Sequence, residues 1–392
     1  MPFAKRLFAC AGYKTTFMGP GRPEFKPEES ASSFEKILKE TANGTLSQIQ
    51  TRSIDEGVIG SFMSARFINQ ANLPGFLPFM VPELYLKPCF AVEGACGTGG
   101  RAIGLAIRSL LSGFADAVFV SAFEVQNTMK ALYGADVLAG AAYYNGERKK
   151  GDAYFFPGIF NHRADAYMKK YGVKKTREAF ATWYENAILH ARKDEKAQEF
   201  FNKAADLKSL GLTEPNPKTF LSCLNSYDCS KVSDGAASFI MATEEGLKKL
   251  KVKQAIEIIG LGEAEGDITQ APIDETRLST TEAAVKKAFQ SAETSVEKID
   301  RFEVHDCFTV SGLLSIEAIG LAKPGEGADF IISKKSFDKV NLSGGLIGFG
   351  HPTGASGIRM MVDLMQDSSL KQGLMVSMGG NDKTVTAVVV SR

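Results

Sequence analysis

Cys96 sits in the run Gly94-Ala95-Cys96-Gly97-Thr98-Gly99-Gly100. An apolar stretch that reads as a strand, Phe90-Ala91-Val92, precedes the run. A helical stretch carrying Ile103, Leu105, Ile107 and Leu110 follows it. A helix start offers unpaired N–H groups and positive potential. That placement predicts a depressed thiol pKa and a thiolate able to attack a carbonyl carbon. The glycines leave room for a bulky thioester. Taken alone, the segment reads sooner as a buried cysteine in a tight glycine turn, and the other segments are what turn the reading to a nucleophile.

Two further segments could serve that sulfur. His351 lies between Gly350 and Pro352, with six glycines in residues 344–357 and a helix expected from 357 to 366. An imidazole held so rigidly could take a thiol proton or donate a hydrogen bond to a thioester oxygen. The loop has neither the G-K-[ST] ending of a phosphate loop nor the G-x-G-x-x-G order of a dinucleotide site. In His305-Asp306-Cys307-Phe308 an imidazole, a carboxylate and a second thiol follow a strand expected at 301–304. Cys307 could move a proton to or from carbon, while His305 alone reads as a satisfied polar residue at a strand end. His162 and His190 are assigned to the surface or to routine hydrogen bonding.

The elements around these residues follow an α/β grammar. A strand, turn, helix and strand enclose Cys96, the last strand being Ala117–Ser121. A second such unit starts at Ala255, after a charged, hinge-like stretch Lys248–Lys253, and ends in two strands near 373–378 and 384–390. The expected organisation is an N-terminal half, 1–121 with 223–250, and a C-terminal half, 251–392. Residues 122–222 form an insertion. They hold the aromatics Tyr143, Tyr144, Tyr154, Phe155 and Phe156 and a charged helical stretch from about 174 to 208. The insertion reads either as a lid over a binding site or as a cover for the core or a subunit contact.

Composition narrows the class. The 392 residues carry 46 basic and 45 acidic side chains, a net charge of +1, with 44% apolar and 23% charged residues. That is an ordinary globular balance and gives no reason to expect a nucleic-acid or membrane partner. No apolar run reaches the roughly eighteen residues of a membrane span, and the N-terminus has no signal-like apolar region. A soluble, cytoplasmic protein is expected. The six cysteines include no C-x-x-C pair, and the four histidines offer no zinc-finger spacing, so no intrinsic metal is expected.

Together the cysteine turn, the segment Gly348-Phe349-Gly350-His351-Pro352-Thr353-Gly354-Ala355-Ser356-Gly357 and Asp228-Cys229-Ser230-Lys231-Val232-Ser233-Asp234-Gly235-Ala236-Ala237 resemble the thiolase superfamily. The likeness is to its sterol-carrier-protein-type and archaeal-type members. The resemblance implies a duplicated, five-layered α/β fold with a mixed sheet in each half. It implies an acyltransferase that cleaves a β-ketoacyl-CoA with coenzyme A as co-substrate, or runs the reverse Claisen condensation. Cys96 would carry the acyl group and His351 would activate it. His305 would stand where other members place an oxyanion-hole asparagine. The amides of Cys96 and Gly380 would hold the acyl-enzyme oxygen.

Many members carry a second catalytic cysteine where this chain has Met378, which passes the acid/base role to Cys307. That departure keeps open an inactive acyl-CoA-binding scaffold, beside condensing enzymes of the ketoacyl synthase or hydroxymethylglutaryl-CoA synthase kind. Family resemblance also implies a homodimer or tetramer, a small zinc-ribbon/OB-fold partner protein, and a neighbourhood that includes aromatic degradation with bulky or aryl acyl groups, benzoylsuccinyl-CoA among them. Lys149, Lys150 and Arg163 are basic residues that could meet CoA phosphates or simply be solvated.

Overall fold

The computed structural model describes residues 2–148 and 152–392, so Lys149 and Lys150 lie outside the described residues. Among the described residues nine strands form one mixed sheet: β1 Leu7–Lys14, β2 Glu56–Gly60, β3 Cys89–Val92, β4 Ala117–Glu124, β5 Gly235–Thr243, β6 Ala255–Glu265, β7 Arg301–Val304, β8 Gln372–Gly379 and β9 Thr384–Ser391. Their order is β3-β2-β4-β5-β1-β6-β9-β8-β7. The pattern occurs twice. β2 runs parallel to β4, which pairs antiparallel with β5, and β5 with β1. In the same way β7 runs parallel to β8, which pairs antiparallel with β9, and β9 with β6. The two halves meet where β1 pairs antiparallel with β6, from Leu7↔Ile258 to Cys10↔Ala255.

Helices complete the layers: α1 Phe34–Leu46, α2 Thr98–Ser112, α3 Ala131–Leu138, α4 Phe155–Tyr171, α5 Val173–Ala191, α6 Ser279–Ala292, α7 Thr309–Ala318 and α8 Ser356–Gln366. α2 touches β4 and β2 of one half and β8 and β9 of the other, and α8 touches β5 and β1 as well as β8 and β7. These two helices therefore form the middle layer. α1 covers the outer face of β1 and β5, and α6 that of β6 and β9. The result is the five-layered, duplicated α/β fold. Covering on both faces explains why β4 and β5, Ala-Val-Phe-Val-Ser-Ala-Phe-Glu and Gly-Ala-Ala-Ser-Phe-Ile-Met-Ala-Thr, are buried along their whole length without alternation.

The helices of the middle layer cross backbone to backbone. A Cβ on Gly99 would sit 2.6 Å from the amide nitrogen of Ile358 and 2.8 Å from Gly357 Cα. Only glycine permits this approach, and it brings the N-termini of α2 and α8 together. α5 contributes Phe180, Trp183 and Ile188 to the main core. The stretch Lys248–Lys253 is not a hinge: Thr243 Oγ1 accepts from the Gly246 amide at 3.1 Å and starts a helix, Glu244–Leu250, which Lys251 ends in the left-handed region. The glycine-rich segment hides another short helix, Gly345–Phe349.

Candidate active site

Cys96 lies in a single 3₁₀ turn, Ala95–Gly97, that runs straight into α2. The preceding Ala95 has φ 52°, a left-handed value that a residue with a Cβ rarely adopts. Thr98 holds the bend, its Oγ1 donating to Ala95 O at 2.6 Å and accepting from the Gly94 amide at 3.0 Å. The turn packs against the end of β8, where a Cβ on Gly379 would lie 2.7 Å from the Gly97 amide nitrogen.

His351 arrives from the opposite side, just before α8. Its amide donates to Lys231 O at 3.2 Å and to Ser233 Oγ at 2.9 Å, and its carbonyl accepts from Gln126 Nε2 at 2.7 Å. Ser356 Oγ meets its Nδ1 at 2.7 Å and donates its own proton to Pro352 O at 3.1 Å. With the hydroxyl proton directed to Pro352 O, Nδ1 donates to Ser356 Oγ, and Nε2, which has no protein partner, keeps its lone pair in that tautomer.

His305 directly follows β7, and its carbonyl accepts from Ser311 Oγ at 2.7 Å. The rings of His305 and His351 meet edge to face at 5.1 Å between centroids. Cys96, His305 and His351 converge so that one ligand atom of each lies within 4.8 Å of the others. Among the described residues this is the group of cysteine, histidine or carboxylate side chains able to hold a metal ion, and the same atoms can pass a proton from thiol to imidazole. Cys307 lines the same cavity. Asp306 turns the other way, accepting from Trp183 Nε1 at 2.9 Å and the Leu346 amide at 2.6 Å, and burial pushes it up to about 6. It fastens the glycine-rich loop rather than serving the cavity.

The cavity has a volume of about 520 Å³ and takes in Cys96, His305, Cys307, His351, Met378 and Gly380. Phe25, Phe67, Met129, Leu138, Phe156, Phe160 and Phe308 are part of its apolar wall. Several of these come from residues 129–138 and 154–160, within the stretch 122–222, while α5 of the same stretch packs into the core.

Electrostatics overturn one expectation. Burial first, and then the Glu124 carboxylate, push the Cys96 thiol up to about 12, outweighing the favourable field of its own amide. Burial and the nearby Arg359 charge hold His305 down at about 3, and burial with His305 and Arg359 holds His351 well below the ordinary range. Cys307 is pushed well up by burial and by Cys96. Burial therefore favours a neutral thiol beside two neutral imidazoles over a thiolate.

Arg163 also departs from the sequence reading. It is 1% exposed and clamps Asn381 Oδ1 at 2.6 Å and the carbonyls of Glu275 and Arg277 at 3.1 and 2.9 Å, so it is neither solvated nor free for a phosphate. His162 is exposed and His190 is a buried, hydrogen-bonded ring against Phe337.

Sequence reasoning missed Glu124. Its carboxylate accepts from Ser61 Oγ, the Phe62, Met63 and Gly354 amides and Thr353 Oγ1, at 2.8–3.1 Å, tying β4 to the loop after His351. It missed Cys229 as well, which borders the cavity beside Ser230 and Lys231.

Comparison with known proteins bears on what such a site does. The family described as Thiolase C-terminal domain-like matches residues 263–374. The acetyl-CoA acetyltransferase of Methanocaldococcus jannaschii is 30% identical over 371 residues, 88% of this chain and 90% of that one. Among solved structures, an Ltp2-ChsH2(DUF35) aldolase matches with a TM-score of 0.77 at 17% identity, covering 98% of this chain and 97% of its own. Human mitochondrial 3-ketoacyl-CoA thiolase in complex with CoA matches with a TM-score of 0.73 at 16% identity, covering 100% and 99%.

Proposed function

This chain belongs to the thiolase superfamily and is an acyltransferase, and from that premise we propose that it cleaves or forms β-ketoacyl-CoA through an acyl group carried on Cys96. One observation carries the reading: the sulfur of Cys96 and a nitrogen of each imidazole stand within 4.8 Å at the wall of a large apolar cavity.

Because the thiol rests protonated, attack and deprotonation occur together. Cys96 Sγ adds to the keto carbonyl as its proton passes to His351 Nε2, whose lone pair is free. Carbon–carbon cleavage leaves the acyl group on sulfur and an enolate, which takes a proton from Cys307. The His305 N–H steadies the enolate oxygen, and the amides of Cys96 and Gly380 hold the acyl-enzyme carbonyl. Coenzyme A, as co-substrate, gives its thiol proton to the Cys307 thiolate and attacks the acyl-enzyme. His351 then returns the first proton to Cys96. Condensation is the reverse path. The breadth of the apolar wall supports a bulky or aryl acyl group.

A second reading has its own support. The tight set is Cys–His–His, the set expected of decarboxylating condensing enzymes, with Cys307 beside it. Incubation with β-ketoacyl-CoA and free CoA separates the two. Release of two shorter acyl-CoA products, together with acyl mass on Cys96 when CoA is withheld, supports thiolysis. Turnover that needs a malonyl donor, with no thiolysis, rejects it.

Two assembly proposals accompany this reading. Among the described residues β3 ends the sheet with one edge unpaired and Phe90 40% exposed, which suits strand pairing with a second copy of the chain. The aldolase neighbour, whose description includes a DUF35 component, supports testing for a small zinc-ribbon/OB-fold partner by co-purification. No helix among the described residues is long and apolar enough to cross a membrane.

A further inference from the structure

Cys96, His305 and His351 stand before α2, after β7 and before α8, too far apart in sequence for any ligand spacing to announce them. In the fold one ligand atom of each lies within 4.8 Å of the other two. The two rings meet edge to face at 81° and do not stack. Each ring has a buried nitrogen without a hydrogen-bond partner, Nδ1 on His305 and Nε2 on His351. His351 has its other nitrogen held by Ser356 Oγ at 2.7 Å, the outer support that metal-binding imidazoles ordinarily have. Among the described residues no group hydrogen-bonds Nδ1 of His305, so nothing there locks its tautomer. That ring can offer an N–H to a substrate oxygen or a lone pair to a metal.

One thiol and two imidazoles are soft or borderline donors that suit zinc, whereas magnesium and calcium want oxygen. A tetrahedral zinc keeps such ligands about 3.3–3.6 Å apart, so these atoms close by about 1.5 Å at most. The fourth position opens on the cavity of about 520 Å³, which has room for water. We propose that Cys96, His305 and His351 capture a divalent cation of the zinc class, an exchangeable ion that switches the active site off. The site stands on geometry alone, while its consequence rests on the thiolase reading above. On capture the Cys96 S–H bond breaks, a sulfur–metal bond forms, and the proton leaves to solvent. No electrons change hands. The ion then occupies the lone pairs that the nucleophile and its base need.

Calorimetry of the full-length protein with zinc chloride, and with magnesium chloride as control, tests the site. One zinc ion per chain and no magnesium is the expected result. Cys96→Ala, His305→Ala and His351→Ala should each weaken zinc binding at least about ten-fold, the least that loss of a mere supporting partner costs a metal site. A second measurement needs no variant. In the parent, zinc should slow alkylation of Cys96 by iodoacetamide at least about ten-fold by the same measure, leave the half-buried Cys89 unaffected, and lose its effect to a chelator. Zinc that binds Cys96→Ala as well as the parent, or that leaves Cys96 alkylation unchanged at saturation, is an adventitious ion only and overturns the proposal. Acylation of Cys96 by acetyl-CoA, which has no free thiol to hold zinc, tests the consequence. Zinc should abolish it and chelation restore it; acylation that proceeds with zinc bound overturns the switch. No acylation even without zinc sinks the thiolase reading instead, while calorimetry and alkylation still decide the metal site.

Discussion

Nδ1 of His351 lies 2.7 Å from Oγ of Ser356, and that hydroxyl spends its own proton on Pro352 O. In that arrangement Nδ1 is the donor to the serine and Nε2 is the acceptor. Ser356→Ala removes that partner without removing the base. We expect kcat to fall about ten- to a hundred-fold, a fraction of the worth of a whole general base, with KM within a factor of about two. Steady-state kinetics check this. A fall confined to KM contradicts a role in fixing the ring.

The neutral resting site sets the pH behaviour. With the Cys96 thiol pushed up to about 12, alkylation of Cys96 by iodoacetamide accelerates steadily with pH through 9 and does not level off near 7 or 8. The imidazoles are shifted the other way: His305 is near 3 and His351 well below its ordinary value. A group with a lowered pKa takes its proton only in more acid solution, so His351 keeps its base form through the range near pH 6.5 where an ordinary imidazole would lose it. kcat/KM therefore shows no acid limb there. Site-resolved mass spectrometry follows the first quantity, and an acid limb near pH 6.5 would refute the second.

What could be seen in the sequence divides along physical lines. Cys96 and His351 were visible because each stands at the start of a helix among glycines, a local pattern that neighbours in sequence announce. Most strands were visible for the same reason, and the Arg301–Val304 strand matched residue for residue. The thiol's protonation state was not visible. It depends on burial and on Glu124, which β4 brings in from another part of the chain. Glu124 itself lies at the end of an apolar strand, and nothing near it in sequence reveals its partners at 61–63 and 353–354. Arg163 misled because a lysine- and arginine-bearing stretch reads as solvated, while its actual acceptors come from residues 275–277 and 381.

Cys307 and Met378 offer the cavity two sulfurs of different chemistry. A thioether moves no proton, so the two positions separate on substitution. Cys307→Ala should lower steady-state thiolysis at least a hundred-fold, within the range of a lost acid/base group, while Cys96 still becomes labelled from an activated acyl thioester. Met378→Leu keeps volume and apolar character and should cost less than about 1.5 kcal/mol of stability, with turnover within a few-fold of the parent. Equal losses at both positions would leave Cys307 without a special role.

The edge of β3 gives the last expectation. β3 pairs with β2 along Gly57↔Cys89 to Gly60↔Val92, and among the described residues no strand pairs with its other side. An open edge with an exposed phenylalanine is a template for another strand unless something covers it. Cys96 lies only four residues beyond Val92, so whatever steadies this edge also steadies the turn that carries the thiol. Ala91→Pro removes a main-chain donor, and Phe90→Asp places a charge on the strand. Each should shift the protein from dimer or larger to monomer in sedimentation or mass photometry, and lower kcat with it. Full activity in a Phe90→Asp monomer would show that the turn at Ala95–Gly97 needs no partner, because Thr98 and the β8 end hold it unaided.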